Sequence, residues 1–181
     1  YLSNGPTLIL DGGYYTMGIV EMSKGGSVDD DKTESDTQHA MRNVNMAIAN
    51  EIHPQRPDVQ HYMIEYLLRQ GNGQIRYMDH GHVAIIDLNK IRKAKLRQVC
   101  SDFIKHLNTK YNNLLDVNYV LMTGGTGACF YQQVSSYYQR SGVLDEKHLL
   151  LADSTLCGQK HPIEYSIVIG AYKGLRGKLN R

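Results

Sequence analysis

An apolar run that ends in glycines is the feature of this chain that most constrains its fold. Residues 119–128 read Tyr-Val-Leu-Met-Thr-Gly-Gly-Thr-Gly-Ala, and a helical pattern begins directly after them. Glycine at a strand-to-helix junction lets backbone N–H groups approach a ligand closely, and the helix N-terminus adds a partial positive charge. The segment therefore predicts a nucleotide-binding loop, although the same glycines are also typical of tight helix–strand packing.

A second glycine turn near the N-terminus strengthens this prediction. The strand predicted at Thr7–Leu10 is followed by Asp11, Gly12 and Gly13, and Thr16 lies three residues further on. An acid at the end of a strand can hold Mg²⁺ through water while glycine N–H groups and a threonine hydroxyl contact phosphate oxygens. Metal and amides would together neutralise charge on a transferred phosphoryl group. A plain Asp-Gly turn without a ligand is the alternative.

The composition sets limits on the class of protein. The chain has 181 residues, of which 41% are hydrophobic and 21% charged, as expected for one soluble globular domain or two small lobes. Its three cysteines have no paired spacing, which favours a reducing cytoplasm, and no apolar run approaches a membrane span. The net charge of +2 is too small to indicate nucleic acid binding. Because the first residue is not methionine, we expect a piece of a longer protein.

Hydrophobic periodicity predicts a layered α/β domain with an inserted lobe. Residues 1–32 and 89–181 are predicted to form the core subdomain, and residues 33–88 a small inserted α+β subdomain. The stretch 23–37 has no apolar period and is predicted to be a solvated connector. Asp36 is the predicted N-cap of the first helix. The other predicted elements are a helix from Pro57 to Gly71, a hairpin over 75–87, a helix over Leu88–Lys110, strands at Val117–Met122 and Leu149–Leu151, a helix ending at Gln139, and a last helix over Pro162–Lys173.

Other sites receive little support from the sequence. There is no Gly-x4-Gly-Lys-Ser/Thr and no Gly-x-Gly-x-x-Gly, which argues against a P-loop or Rossmann site. His80 and His82 have no third metal ligand at a suitable spacing. Five basic residues on the long helix indicate a solvated face, with phosphate-backbone binding as the alternative; they are Lys90, Arg92, Lys93, Lys95 and Arg97.

The order of these motifs resembles the second half of an actin-like ATPase of the ParM-type plasmid-segregation group. The Asp-x-Gly-x-x-Thr phosphate loop of that superfamily is similar to residues 11–16, and its glycine-rich adenosine motif is similar to residues 121–127. Its closing segment resembles residues 164–173. Three positions depart from the pattern: Gly18 stands where a second acid is common, Tyr14 replaces a small residue, and Thr126 replaces the third glycine.

The resemblance implies an actin-like (ribonuclease H-like) ATPase domain with a mixed sheet flanked by helices. It implies ATP and Mg²⁺ as cofactors, self-association into filaments, the missing N-terminal half of the same protein as partner, and DNA only indirectly through an adaptor. Asp11 is then the candidate catalytic residue and the Mg²⁺ ligand through water. The candidate nucleotide-binding residues are Gly12, Gly13, Tyr14, Thr16, Gly124, Gly125, Thr126 and Gly127. Arg42 is a further candidate for contact with the base or ribose.

Two alternatives remain open at this point. One is another ATPase of the actin, sugar-kinase and chaperone superfamily that does not polymerise. The other is a non-enzymatic binding module that uses the basic helix or the tyrosine-rich surface. Because the resemblance covers only one wall of the nucleotide cleft, we expect the isolated chain to hydrolyse almost no ATP.

Overall fold

The helices and strands follow an alternating α/β order in a computed structural model that describes residues 5–152, 155–156 and 159–162. In chain order the elements are β1 (Thr7–Gly12), β2 (Met17–Met22), β3 (Val28–Asp36), α1 (Met41–Ile52), α2 (His61–Arg69), β4 (Gln74–Asp79), β5 (His82–Asp87), α3 (Leu88–Lys110), a 3-10 turn (Asn112–Leu114), β6 (Tyr119–Thr123), α4 (Gly124–Arg140), β7 (Leu149–Leu151), β8 (Thr155–Leu156) and β9 (Gln159–Lys160).

Five strands form a mixed sheet in the order β3-β2-β1-β6-β7. The first three are antiparallel neighbours, whereas β1, β6 and β7 are parallel. Leu8, Leu10 and Val120 are fully buried on this sheet because the α3 and α4 side chains Phe103 and Phe130 pack in the same cluster. The parallel pairing of β1 and β6 places the chain that follows each strand at the same edge of the sheet.

A second apolar cluster holds the inserted lobe together. It joins α1, α2, the β4–β5 hairpin and the first residue of α3, through side chains that include Val44, Ile64, Ile75 and Leu88. Cys129 and Leu96 pack against both clusters, so the lobe is packed directly onto the core. The predicted hairpin and the helix Leu88–Lys110 are thus confirmed.

The third strand corrects the prediction of a solvated connector over 23–37. Strand β3 lies at the edge of the sheet with one side open, so its acidic sequence does not alternate between apolar and polar residues. Asp29 pairs with Glu21 and Glu34 with Ile19, so residues 30–33 bulge out between these pairs. The division of the chain at residue 33 stays a prediction, although the sheet continues to Asp36.

Ion pairs hold β3 against α3. Glu34 contacts His106 Nε2 at 2.7 Å and also pairs with Lys110. Burial would raise the pKa of the Glu34 carboxyl, but hydrogen bonds from Lys110 and His106 outweigh it and hold the pKa below its usual value. Asp36 is not the N-cap of α1, which is Ala40; its carboxylate instead accepts from the Gln38 N–H at 2.7 Å.

Two further points concern the end of the chain and the character of its helices. The predicted helix over Pro162–Lys173 and the segment 164–173 lie outside the described residues, apart from Pro162 itself. Among the helices that the structure describes, none has the length and apolar character needed to cross a bilayer.

Candidate functional site

The two glycine loops meet at one edge of the sheet. Asp11 and Thr123 are register partners at the ends of β1 and β6, and each is followed directly by glycine. Parallel strands end at the same sheet edge, where ligands bind in open α/β sheets. The structure therefore brings together two motifs that lie about a hundred residues apart in the sequence.

The backbones of the two loops approach too closely for any side chain. A Cβ atom on Gly12 would lie 2.2 Å from the Gly127 backbone nitrogen. A Cβ atom on Gly124 would lie 2.4 Å from the Gly12 carbonyl oxygen, and Gly124 also has a φ of +74°. Glycine is needed at these positions both for contact and, at Gly124, for the left-handed backbone.

Thr126 joins the two loops to the lobe through its hydroxyl group. Its Oγ1 donates to the Gly13 carbonyl at 2.6 Å and accepts from the Met41 backbone N–H at 3.2 Å. Thr126 is only 2% exposed, and its bond to Met41 is buried, whereas the Gly13 carbonyl lies on an exposed residue. The residue that replaces the third glycine of the motif thus fixes the β1 loop, the start of α4 and the start of α1 relative to each other.

The turn after β1 is closed and tied to the inserted lobe. The Gly13 N–H donates to the Thr16 carbonyl at 2.9 Å. The Tyr14 carbonyl accepts from the Arg42 backbone N–H at 2.8 Å, and its hydroxyl lies 3.3 Å from His61 Nδ1. These contacts position the turn at the boundary between the core and the lobe.

A cleft of about 530 Å³ opens between these loops and the lobe. The glycine loops form one wall, and α1, α2 and α3 supply the side chains opposite. The lining residues are Gly12, Gly13, Tyr14, Met41, Glu65, Arg69, Arg92, Gly125, Thr126 and Cys129. A cleft of this size, with backbone amides on one wall and few charged groups on the other, suits a small polar ligand.

The charged residues that line the cleft, Glu65, Arg69 and Arg92, leave one net positive charge. Arg69 forms an ion pair with Glu65 at 2.6 Å. The other cation that lines the cleft is the Arg92 guanidinium. The buried Arg92 Nε has no hydrogen-bond partner within the described residues. The α4 N-cap residue, Thr123, makes no side-chain cap, so the first N–H groups of α4 keep capacity for an anion.

Asp11 lies at the end of β1 beside Gly124, and a Cβ on that glycine would lie 3.0 Å from Asp11 Oδ1. Burial raises the pKa of the Asp11 carboxyl above its usual value. In the described part of the chain, no three His, Cys, Asp or Glu residues form a group that could hold a metal ion. A single carboxylate fits Mg²⁺ that keeps several waters and binds phosphate oxygens, rather than an all-protein cage.

The predicted site residues divide into two groups. Gly12, Gly13, Tyr14, Gly125 and Thr126 line the cleft, whereas the other four predicted residues, Asp11, Thr16, Gly124 and Gly127, are not part of its lining. Gly124 and Gly127 are buried where the loops pack together.

Sequence reasoning missed the charged side chains that line the cleft opposite the glycine loops. Glu65, Arg69 and Arg92 line it, and Arg42 does not. A signal existed for one of them, because Arg92 belongs to the basic run on α3. Glu65 and Arg69 come from α2, and only the docking of the lobe brings them to the glycine loops.

Together, the mixed sheet, the flanking helices, and the paired glycine loops define an actin-like α/β fold, and solved structures share it. No protein-family model matches the chain, and a search of curated proteins finds no significant match. The fold is therefore shown by the structural likeness alone.

Three solved structures illustrate the likeness. A non-polymerisable quadruple mutant of pCBH ParM has a TM-score of 0.65 at 15% identity, over 97% of this chain and 48% of its own. The archaeal actin homologue Ta0583 in complex with ADP has a TM-score of 0.65 at 10% identity, over 95% and 50%. A ParM filament from Clostridium botulinum has a TM-score of 0.60 at 15% identity, over 92% and 46%. The chain spans about half the length of these proteins.

Proposed function

We propose that this chain is the C-terminal, nucleotide-binding half of a filament-forming actin-like ATPase. The observation that carries the proposal is the contact between the two glycine loops, where Gly12 packs on Gly127 at the mouth of a cationic cleft. Backbone amides, a helix N-terminus and arginines are the groups that recognise phosphates. The archaeal homologue of the same fold is described as a complex with ADP, which supports an adenine nucleotide as the ligand.

Each part of the cleft has a role in this proposal. The Gly13 and Gly125 backbones lie against the nucleotide, with Gly12 and Gly13 at the β- and γ-phosphates. Thr16 lies outside the cleft lining and would support this turn through its hydrogen bond from the Gly13 N–H. Gly124, Gly125 and Gly127 flank the adenosine. Because Gly124 and Gly127 are buried, they contribute by allowing the two loops to approach each other closely. Arg92 contacts the ligand from α3.

Asp11 is the proposed catalytic residue and would hold Mg²⁺ through water. Bound there, the metal would neutralise charge that develops on the transferred phosphoryl group. Burial raises the pKa of the Asp11 carboxyl, because the charged form loses solvation that calls for compensation. A cation beside it would supply that compensation and favour the charged form of the side chain.

The cellular role follows from the likeness to ParM proteins. We propose a cytoplasmic protein that assembles with itself into filaments and moves plasmid DNA through an adaptor. The missing N-terminal half would close the second wall of the cleft, and this closure is required for phosphoryl transfer. The likeness to a ParM filament supports self-association.

Exchange of Asp11 for alanine in the intact protein tests the enzymatic part. We expect ATP turnover to fall to background while the thermal unfolding midpoint stays at or above the wild-type value, because a desolvated carboxylate is removed. The matched control is Asp58→Ala, an exposed acid in the lobe that lies outside the cleft lining. Normal turnover by the Asp11 variant would remove Asp11 from the mechanism.

A second candidate function is an ATPase of the same superfamily that does not polymerise. The same cleft favours it, because nothing in the cleft requires a filament. Light scattering after addition of ATP to the intact protein separates the two, since only the filament-forming protein should scatter.

A further inference from the structure

A basic groove runs between α3 and α4, outside the proposed nucleotide cleft. Its volume is about 550 Å³, and its charged lining residues are Lys93, Arg97 and Arg140. The rest of the lining is polar or small apolar, namely Leu96, Ser101, Cys129, Gln132, Gln133 and Ser136. No acidic side chain belongs to this lining, so the groove presents three cations and several amide and hydroxyl groups to the outside.

Only part of the basic run on α3 faces this groove. Lys95 pairs with Glu51 at 2.7 Å, and Arg92 lines the nucleotide cleft. Lys93 and Arg97 are both exposed, and neither forms an ion pair within the described residues. The charge of the groove is therefore not neutralised by this part of the chain.

An acidic protrusion lies on the edge strand of the sheet. Residues 30–33 bulge out from β3 between two points of pairing with β2. Asp30 and Asp31 are exposed on this bulge, and the described residues offer neither of them an ion pair. Charged residues and bulges on an edge strand discourage strand addition, yet they also leave a projecting pair of negative charges. We call Asp30 and Asp31 the acidic bulge.

We propose that the basic groove of one copy of the protein binds the acidic bulge of a second copy. Two exposed carboxylates are complementary in charge to a groove that is lined by three cations. The net charge of the chain is only +2, so little overall repulsion opposes the association of copies. The inference rests on the self-association contained in the proposed function and names the surfaces that carry it.

The two surfaces lie on different parts of the molecule, which decides the kind of assembly. The acidic bulge belongs to the outer strand of the sheet, and the basic groove lies between two helices. A contact between unlike surfaces can repeat from copy to copy and produces an open filament unless the rotation closes a ring. Repeated from copy to copy, this contact would therefore build a polymer or a ring rather than a two-fold dimer.

Charge reversal in the intact protein tests the pairing. The first variant carries Lys93→Glu and Arg97→Glu, the second carries Asp30→Lys and Asp31→Lys, and the third carries all four changes. Lys105→Glu with Lys147→Glu is the control for the first variant, because it changes the net charge by the same amount at exposed lysines outside the groove. The readout is the critical concentration for ATP-dependent assembly, measured by sedimentation, with circular dichroism as the check on folding.

We expect the critical concentration of the first two variants to rise at least about tenfold, which corresponds to about 1.4 kcal/mol. The four-change variant should return close to wild type, since every contact then has opposite charges again, and the control should not change. High salt should raise the wild-type threshold, because exposed charge pairs are screened.

Three results would overturn the proposal, and each has a distinct meaning. Wild-type thresholds in both two-change variants would show that the surfaces do not meet. Loss of assembly that the four-change variant fails to restore would show that they matter separately. A groove variant that assembles normally but loses affinity for duplex DNA would assign the groove to nucleic acid. Absence of assembly by the wild-type protein would instead refute the proposed filament function itself.

Discussion

The hydroxyl group of Thr126 offers a quantitative test of how the site is built. Thr126→Val keeps the shape and the β-branched side chain but removes the donor to Gly13 and the acceptor for Met41. The Gly13 carbonyl borders the open cleft and can regain water, so its lost bond should cost about 0.5–1.5 kcal/mol. The Met41 N–H is buried and loses its acceptor, at a cost of about 1–3 kcal/mol.

Together these losses predict a decrease of about 1.5–4.5 kcal/mol in the free energy of unfolding of the domain. Urea denaturation followed by circular dichroism measures it, and the midpoint should fall by about 1 M or more. Thr126→Ser is the matched control, since it keeps both hydrogen bonds and removes one buried methyl group worth about 0.8 kcal/mol.

Two results would refute this reasoning. A valine variant within about 0.5 kcal/mol of wild type would behave like a surface substitution, and the hydroxyl would then not join the loops. If serine, which keeps the hydroxyl group, destabilised the protein as much as valine, retention of the two hydrogen bonds would not preserve stability, and their assigned role would be wrong.

Three further predictions follow from the contacts of the site and of the edge strand. Gly12→Ala should destabilise the protein by several times more than Gly13→Ala in thermal unfolding, because a Cβ meets backbone at 2.2 Å in the first case and nothing closer than 3.3 Å in the second. Arg92→Gln should weaken ATP binding in calorimetry by about tenfold or more, and Lys90→Gln, outside the cleft lining, should leave it unchanged. The pKa of the Glu34 carboxyl is lowered in the folded state, so its ion pairs stabilise the fold above the usual pKa of 4.5, and this stabilisation is lost as the pH falls through and below that value. Glu34→Gln should therefore flatten the acid side of a plot of unfolding free energy against pH. An unaltered acid side would contradict the ion-pair assignment.

Much of the fold could be predicted from the sequence because its elements have strong periodic patterns. The helix Leu88–Lys110 and the strand Leu149–Leu151 have the predicted bounds, and the glycine loops follow the predicted strands. The edge strand β3 could not be found in this way, because it buries little apolar surface and its acidic residues resemble those of a loop. Its pairing with β2 decides its structure.

Only the part of the candidate site that is formed by residues adjacent in the sequence could be predicted. The glycines could be placed because turn chemistry is written in neighbouring residues. Glu65 and Arg69 face the glycine loops only because an apolar cluster docks α2 against α1 and α3, and no pattern in the sequence reports that docking. The role of Thr126 as a bridge likewise depends on contacts with residues 85 and 113 positions away.

The most direct test of nucleotide binding at the two loops is a titration of the ¹⁵N-glycine-labelled intact protein with ATP and Mg²⁺. We would follow the amide resonances of its glycines and assign them by single substitution. Binding at the proposed cleft should shift the signals of Gly12, Gly13 and Gly125 together, while Gly142, an exposed glycine just beyond the opposite end of α4, keeps its signal. Shifts confined to other glycines, or no shift at saturating ATP, would contradict a nucleotide site between the loops.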